Sequence, residues 1–123
     1  DRNQGAIDRA RAEGVAAQAD SRAFAAERER EILRLQVQLA ARASEVRRIS
    51  EETIPQAERA VRLVRDGFAR GGFTYNDVMS AQTALLQARA RRVSVLQEFH
   101  NDRARLERLT GAHADLVGLE IQP

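Results

Sequence analysis

Cysteine, tryptophan and long apolar runs are missing from this sequence, and aromatic residues and prolines are scarce. Its 123 residues include no Cys, no Trp, two Pro, one Tyr and four Phe. The absence of cysteine excludes disulfide bonds, thiol nucleophiles and thiolate zinc sites, but it leaves the cellular compartment undecided. No run approaches the roughly 20 apolar residues of a membrane-spanning helix. So few large aromatic side chains provide little bulk for a globular core.

Lysine is also absent, so all 20 basic residues are arginines. The 18 acidic residues reduce the formal net charge to +2, which is not the charge of a polycation. Two arginine clusters, at 89–92 and 103–108, have acidic neighbours and few aromatic residues nearby. This pattern favours a solvated or salt-bridged surface over a nucleic-acid interface, and we expect no nucleic-acid partner.

The abundant residues, alanine, leucine, arginine, glutamate and glutamine, are typical of long helices. Within the first half of the chain, Arg42 and Thr53 each occupy one place in an approximate heptad pattern. The apolar members of this pattern are Ile32, Leu35, Leu39, Val46, Ile49, Ala57, Val61, Val64 and Phe68. Such spacing predicts a narrow apolar seam against a partner helix.

Pro55 interrupts the first helical pattern. Its ring clashes with the preceding turn and disfavours a helical conformation at Ile54. Either the helix kinks at this point, or a second helix begins with Thr53 as its cap. We favour a kinked, near-continuous rod.

The clearest turn signal is the glycine pair Gly71–Gly72, which can supply a left-handed backbone at a helix end. Thr74 and Asp77 then form a capping-box pattern that predicts the start of a second helix. The predicted seam of this helix consists of Val78, Ala81, Leu85, Ala88, Val95, Phe99, Leu106 and Leu109. A further apolar row at Leu86, Val93 and Leu96 lies beside it. One partner helix cannot cover both rows.

These signals predict an all-α fold, a long antiparallel helical hairpin or coiled coil that forms a single module over residues 1–123. A long helix over about 4–70, kinked near Pro55, precedes a tip turn over 71–75, a returning helix over 76–110 and a C-terminal tail over 111–123. At about 1.5 Å per residue, the two helices are roughly 100 and 50 Å long. The overhang, roughly residues 4–31, is expected to pack on helices that this chain does not contain.

Residues that carry chemistry are few. His100 and His113 are the only histidines, and neither has a carboxylate or second histidine one helical turn away. No nucleophile, phosphate-loop or dinucleotide motif occurs either. We therefore predict no enzyme activity, no cofactor and no metal site.

The predicted turn places Phe73 and Tyr75 beside two glycines at the end of a long hairpin. Exposed aromatic residues on a rigid protrusion usually mark a contact surface. The alternative is that Phe68, Phe73 and Tyr75 plug the end of the hairpin. Contact at the tip is the favoured interpretation.

Taken together, these motifs resemble the TolC-like outer-membrane efflux proteins, and most closely the branch of CzcC-type heavy-metal efflux channels. The resemblance covers nearly the whole chain, and it is specific as a combination although each element is weak. The matching segments are 1–7, 52–58, 67–82, 85–89, 98–100 and 106–111.

The resemblance implies a trimeric outer-membrane β-barrel that continues as an α-helical tunnel across the periplasm, with this chain as the second of two helical hairpins in each protomer. Such a channel is a passive exit duct for metal ions or drugs. It receives its substrate from an inner-membrane pump of the resistance-nodulation-division (RND) type through a periplasmic adaptor protein. The implied location is the periplasmic part of an outer-membrane protein.

Position by position, the resemblance implies that Gly71, Gly72, Phe73 and Thr74 form the tip that faces the adaptor. Asp77 matches an aspartate at the tunnel mouth that, repeated by threefold symmetry, forms an anionic constriction selecting for cations. Three positions of this chain depart from the family. Because of these departures, an apolar gate is an alternative to a tunnel mouth that is closed by hydrogen bonds. The three positions are Phe68, where Tyr is frequent, Phe73, where some members have a gating Arg, and Ser80, where a second acidic residue is common.

Two other interpretations of the hairpin remain. It can belong to a periplasmic adaptor or another coiled-coil scaffold with a binding role only, or to a basic helical nucleic-acid binder. Flanking β-strand segments of about ten residues with an apolar face would favour the channel. Association with DNA or RNA that weakens steeply with salt would favour the nucleic-acid binder.

Overall fold

Two antiparallel helical rods make up the described part of the chain. A computed structural model describes residues 2–111, and beyond Gly111 the predicted tail lies outside the described residues. Helix α1 spans Arg2–Arg48, a π-helical segment spans Ile49–Thr53, α2 spans Ile54–Ala69 and α3 spans Tyr75–Thr110. The first three segments form one rod, hereafter the first rod, which packs along α3. Residues 2–111 are thus an all-α helical hairpin without strands, as predicted.

A single line of aliphatic side chains, the inner seam, joins the rods. Its buried members are Leu35, Ile49, Ile54 and Val61 of the first rod and Val78 and Val95 of α3. Val95 has no exposed surface, and it packs with Ile49 and Ile54 against the half-buried Val46, Leu85 and Ala88. Other predicted seam residues, such as Ile32 and Leu39, are half-buried, whereas Phe68 is exposed. The seam is therefore narrow, as the heptad pattern predicted.

The prediction that Thr53 occupies a seam position is wrong, because the π-helical segment shifts the pattern by one residue. Thr53 is exposed, and Ile54 is buried in its place. The N–H of Ile54 donates to the carbonyl of Ile49, five residues earlier, where an α-helix would use a carbonyl four residues earlier. With a regular α-helix here, the seam places of Val46 and Ile49 would fall one residue later, on Arg47 and Ser50. The extra residue thus keeps the apolar face of α1 towards α3.

Pro55 explains why the wide turn lies at this point of the rod. It stands in the first turn of α2 and has no N–H to donate. In a regular helix its ring would clash with the carbonyl of Glu51, and the π turn relieves such a clash. Thr53 and Ile54 both have helical backbone angles, and the Thr53 side chain makes no capping hydrogen bond. The helical path therefore continues through Pro55 and does not restart from a cap at Thr53.

The first rod extends well past the end of α3. Arg28 lies near that end, where its Nε donates to the Leu109 carbonyl at 3.0 Å. Every residue from 3 to 25 is exposed, including Phe24 at 74%. These residues form an overhang of about 35 Å, at 1.5 Å per helical residue.

Truncating Leu35, which is 2% exposed, should destabilise the hairpin more than truncating Leu33, which is 58% exposed on the same helix. Leu35→Ala should lower the free energy of unfolding by about 2–5 kcal/mol, because it opens a cavity in the inner seam. Leu33→Ala should change it by no more than about 0.5 kcal/mol. Urea unfolding of the 123-residue chain, followed by circular dichroism, measures both. Equal losses in the two variants would contradict the assignment of the seam.

Candidate functional site

The turn at the hairpin tip is formed by hydrogen bonds among main-chain atoms. The N–H of Gly72 donates to the Gly67 carbonyl at 2.8 Å, and the N–H of Gly71 donates to the Phe68 carbonyl at 3.0 Å. This pair of bonds, six-to-one and five-to-two, is the Schellman motif that closes many helices. Gly71 has a φ of +77°, which favours glycine strongly. Of the two predicted glycines, Gly71 therefore determines the backbone of the turn.

A third glycine, Gly67, supports Phe73, and sequence reasoning did not assign it a role. A Cβ atom at Gly67 would lie 2.2 Å from Cδ2 and 2.6 Å from Cε2 of the Phe73 ring. Only glycine therefore allows this ring to rest against α2. A signal was present, because a glycine inside a helical pattern costs about 1 kcal/mol and often marks a close approach.

Thr74 and Asp77 form the predicted capping box at the start of α3. Oδ2 of Asp77 accepts from the Thr74 N–H and from its hydroxyl, each at 2.7 Å. The Asp77 N–H donates in return to the Thr74 hydroxyl oxygen at 3.2 Å. The hydrogen bonds from the Thr74 backbone and side chain lower the pKa of Asp77. This carboxylate is therefore charged at neutral pH.

Aromatic side chains around the turn are anchored and still reach solvent. Phe73 rests against α2 and is 40% exposed. Phe68 and Tyr75, which are more exposed, meet edge to face with ring centroids 6.5 Å apart. Phe73 thus partly plugs the end of the hairpin, as the alternative interpretation held, yet the tip presents aromatic surface.

The structure places the predicted tip residues together and spreads the predicted gate over both rods. Residues 71–74 are all exposed at the turn. Asp77 and Ser80 are exposed and lie about one turn apart on α3, whereas Phe68 stands on α2 beside Tyr75. Thr74 and Asp77 hold each other in the cap, so the gate candidate Asp77 also has a structural role.

A second apolar line runs along α3 away from the inner seam. Met79, Leu86 and Val93 are spaced by seven residues and are 42–64% exposed. The exposed Thr83 and Ala90 fill the intervening places of a heptad seam. We call these five residues the outer stripe. Leu96, which was predicted to continue the second row, is half-buried. Helix α3 therefore has two apolar faces, and the first rod covers one of them.

Arginines of the two clusters form ion pairs, as the sequence predicted. Arg89 pairs with Glu58, Arg91 with Glu45, Arg105 with Glu31 and Arg103 with Glu107, at N–O distances of 2.8–3.0 Å. The first three pairs join α3 to the first rod. This surface is consequently salt-bridged with intramolecular carboxylates.

Neither a metal-binding cluster nor a membrane-spanning helix occurs within residues 2–111. No group of three or more histidine, aspartate or glutamate side chains in this range could hold a metal ion. No helix here is sufficiently long and apolar to cross a membrane. His100 is exposed and meets the Phe99 ring edge to face at 5.6 Å, whereas His113 lies outside the described residues.

Alanine at Gly67 should displace Phe73, whereas alanine at Gly72 should not. In Gly67→Ala, overpacking should lower the free energy of unfolding by about 1–3 kcal/mol. The better helix propensity of alanine offsets about 1 kcal/mol of this loss. A Cβ at Gly72 would meet only the Gly67 carbonyl at 3.5 Å, an ordinary contact. NMR chemical shifts of the Phe73 ring should move in Gly67→Ala and stay near their wild-type values in Gly72→Ala. Unchanged ring shifts in Gly67→Ala would refute the close approach.

One curated relative extends over most of the chain. The cobalt-zinc-cadmium resistance protein CzcC of Cupriavidus metallidurans is 32% identical to it over 111 residues. The matched region is 90% of this chain and 27% of CzcC, so the chain spans about a quarter of the length of that relative. No family model matches the sequence, and no solved structure is significantly similar. The all-α hairpin and the similarity along nearly all of its length lead to one conclusion: the chain belongs to the TolC-like outer-membrane efflux family, in its CzcC-type branch.

Proposed function

We propose that the chain forms a periplasmic tunnel segment of an outer-membrane efflux channel that exports metal ions. The observation that carries this proposal is the similarity to CzcC along 90% of the chain. CzcC is named for resistance to cobalt, zinc and cadmium, which supports metal cations as the exported class. The same similarity favours a channel over an adaptor hairpin. The segment acts as a passive duct and performs no catalysis.

The outer stripe and the overhang support a place in a multi-helix wall. The stripe exposes Met79, Leu86 and Val93 along one line of α3, and the overhang exposes Ile7, Val15 and Phe24. Water-exposed apolar lines at heptad spacing are stabilised when another helix covers them. In the proposed channel, this chain is the second helical hairpin of each protomer in a homotrimer. Helices of neighbouring hairpins cover the stripe and the overhang.

The tip supports docking to a periplasmic adaptor, which links the channel indirectly to an RND-type pump. Its Schellman turn, its capping box and the Phe73 ring on Gly67 fix its shape. A preorganised surface with exposed aromatic groups loses little conformational entropy on binding. Residues 71–74 form the proposed contact surface.

Asp77 supports a cation-selective constriction at the tunnel mouth. Its carboxylate is exposed and capped through Oδ2, and its pKa is lowered by Thr74. Three symmetry-related carboxylates of this kind would form an anionic ring, the arrangement that cation channels use. Phe68 and Ser80 complete the proposed gate, with an apolar and a neutral polar side chain.

Charge reversal at Asp77 should reduce the cation preference of the full-length channel several-fold, because it turns an anionic ring into a cationic one. Single-channel reversal potentials in planar bilayers measure the cation preference of the Asp77→Lys channel. Asp77→Glu is the matched control, because glutamate keeps the charge and is a usual capping-box residue.

Ser80→Asp adds a carboxylate one turn further along α3, and it should raise the same preference. Selectivity that is unchanged in both Asp77→Lys and Ser80→Asp would refute the gate. The membership of the family and the hairpin fold would be unaffected by that result.

Bulky residues at Gly71 or Gly72 should weaken docking of the adaptor, and Gly72→Trp is the sharper variant. Gly71 needs its left-handed φ, so substitution there also strains the turn, whereas Gly72 has ordinary space for a side chain. We expect Gly72→Trp to reduce site-specific crosslinking to the cognate adaptor at least several-fold. Gly72→Ala should crosslink nearly as well as the wild type. Equal crosslinking in the wild type and in Gly72→Trp would count against docking at the tip.

A further inference from the structure

The apolar residues of the inner seam by themselves specify the pairing of the two rods only weakly. Its α3 residues follow two heptad series, each interrupted once by a charged residue: Val78, Leu85, Arg92, Phe99 and Leu106, and Ala81, Ala88, Val95, Asp102 and Leu109. A displacement of α3 by one heptad therefore exchanges one apolar residue for another at several places, such as Leu85 for Val78, whereas Arg92 and Asp102 would enter places that apolar residues now occupy. Apolar repeats of this kind leave register to polar residues within the seam.

Arg42 is such a residue. It takes a seam place between Leu39 and Val46, and its side chain is only 26% exposed. Nε donates to Oδ2 of Asp102 at 2.6 Å, and Nη1 pairs with Oε2 of Glu98. The hydrogen bond that Arg42 donates to Asp102, together with the attraction of both carboxylates, raises the pKa of the guanidinium. We call Arg42, Glu98 and Asp102 the Arg42 cluster.

A slip of one heptad destroys this cluster in either direction. One slip brings Arg105 to the place of Glu98 and Leu109 to that of Asp102. The opposite slip brings Arg91 and Val95 to these places. Arg42 then faces an arginine and no carboxylate, which leaves a half-buried charge both unpaired and repelled.

The neighbouring ion pairs reinforce this preference. In the observed pairing Glu45 meets Arg91 and Glu31 meets Arg105, each at 2.8 Å. The first slip would place Glu98 opposite Glu45, and the second would place it opposite Glu31. Both alternatives thus add a contact between two carboxylates.

We infer that the Arg42 cluster selects the register in which the first rod pairs with α3, and that Arg42 is a positioning residue of the hairpin. The tip turn holds the register at one end, and the cluster holds it about 45 Å away, across the π-helical segment. This inference goes beyond the proposed function and does not depend on it. The competing explanation is that the tip turn alone sets the register.

Spin-label distances distinguish these explanations, and the absence of native cysteine makes the labelling specific. Val15→Cys and Val93→Cys introduce labels at exposed positions of α1 and α3. Arg91, beside Val93, contacts Glu45, so the labels lie about 45 Å apart along the rods. A slip of one heptad changes that separation by about 10 Å, which double electron–electron resonance resolves.

The test variant of the 123-residue chain combines Arg42→Leu, Glu98→Gln and Asp102→Leu, which replaces the cluster with uncharged side chains. Replacing an ion-pair cluster with apolar groups often preserves stability. We therefore expect wild-type helicity by circular dichroism, with a second distance population shifted by about 10 Å. The matched control, Glu45→Leu with Arg91→Leu, removes a more exposed pair and should keep the single wild-type distance.

Three results would overturn the inference. A single wild-type distance in the triple variant would mean that the tip turn sets the register without the cluster. Loss of helicity in that variant would make the cluster a requirement for folding, not a selector between registers. Slippage in the control variant to the same extent would also contradict a special role of Arg42.

Discussion

The contact between the two rods along one line of aliphatic side chains constrains the rest of this molecule. Six buried residues, from Leu35 to Val95, form the core of residues 2–111. A line of this width holds two helices together, but it leaves the other faces of each helix in water. The outer stripe and the overhang follow directly from that narrowness. Further helices would cover these faces, as they do in the proposed tunnel wall.

Some residues of the tip determine the shape of the turn, and others present a surface to solvent. Gly71 supplies the left-handed backbone, Gly67 makes room for Phe73, and Thr74 with Asp77 caps α3. These contacts are short and local, so the turn keeps its shape without help from the distant seam. Asp77 does both tasks, because the cap occupies one carboxylate oxygen and at the same time stabilises the charge that the proposed constriction requires.

Charged side chains also have two roles: some form exposed ion pairs on the surface, and others determine which residues of the two rods pair. Arg89 and Arg91 form exposed pairs across the rods, of a kind that contributes little to stability. Arg42 differs because it interrupts the seam itself and bridges two carboxylates of α3. A polar interruption weakens an apolar contact, yet it can exclude the alternative pairings that a repetitive seam allows.

Local patterns in the amino-acid sequence were sufficient to determine the helical class, the turn at Gly71, the capping box of Thr74 and Asp77, and most of the inner seam. Each depends on residues within one or two helical turns of one another, where chemistry and spacing decide the outcome. Tertiary structure decided the features that need a distant partner. The heptad pattern predicts Thr53 as a seam residue, but the π-helical segment before Pro55 places Ile54 against Val95 instead. Gly67 acquired its role only through the ring of Phe73, and Arg42 acquired its role only through Glu98 and Asp102 on the opposite rod. No periodicity along one helix specifies such partners, because they depend on how the second helix is aligned beside it.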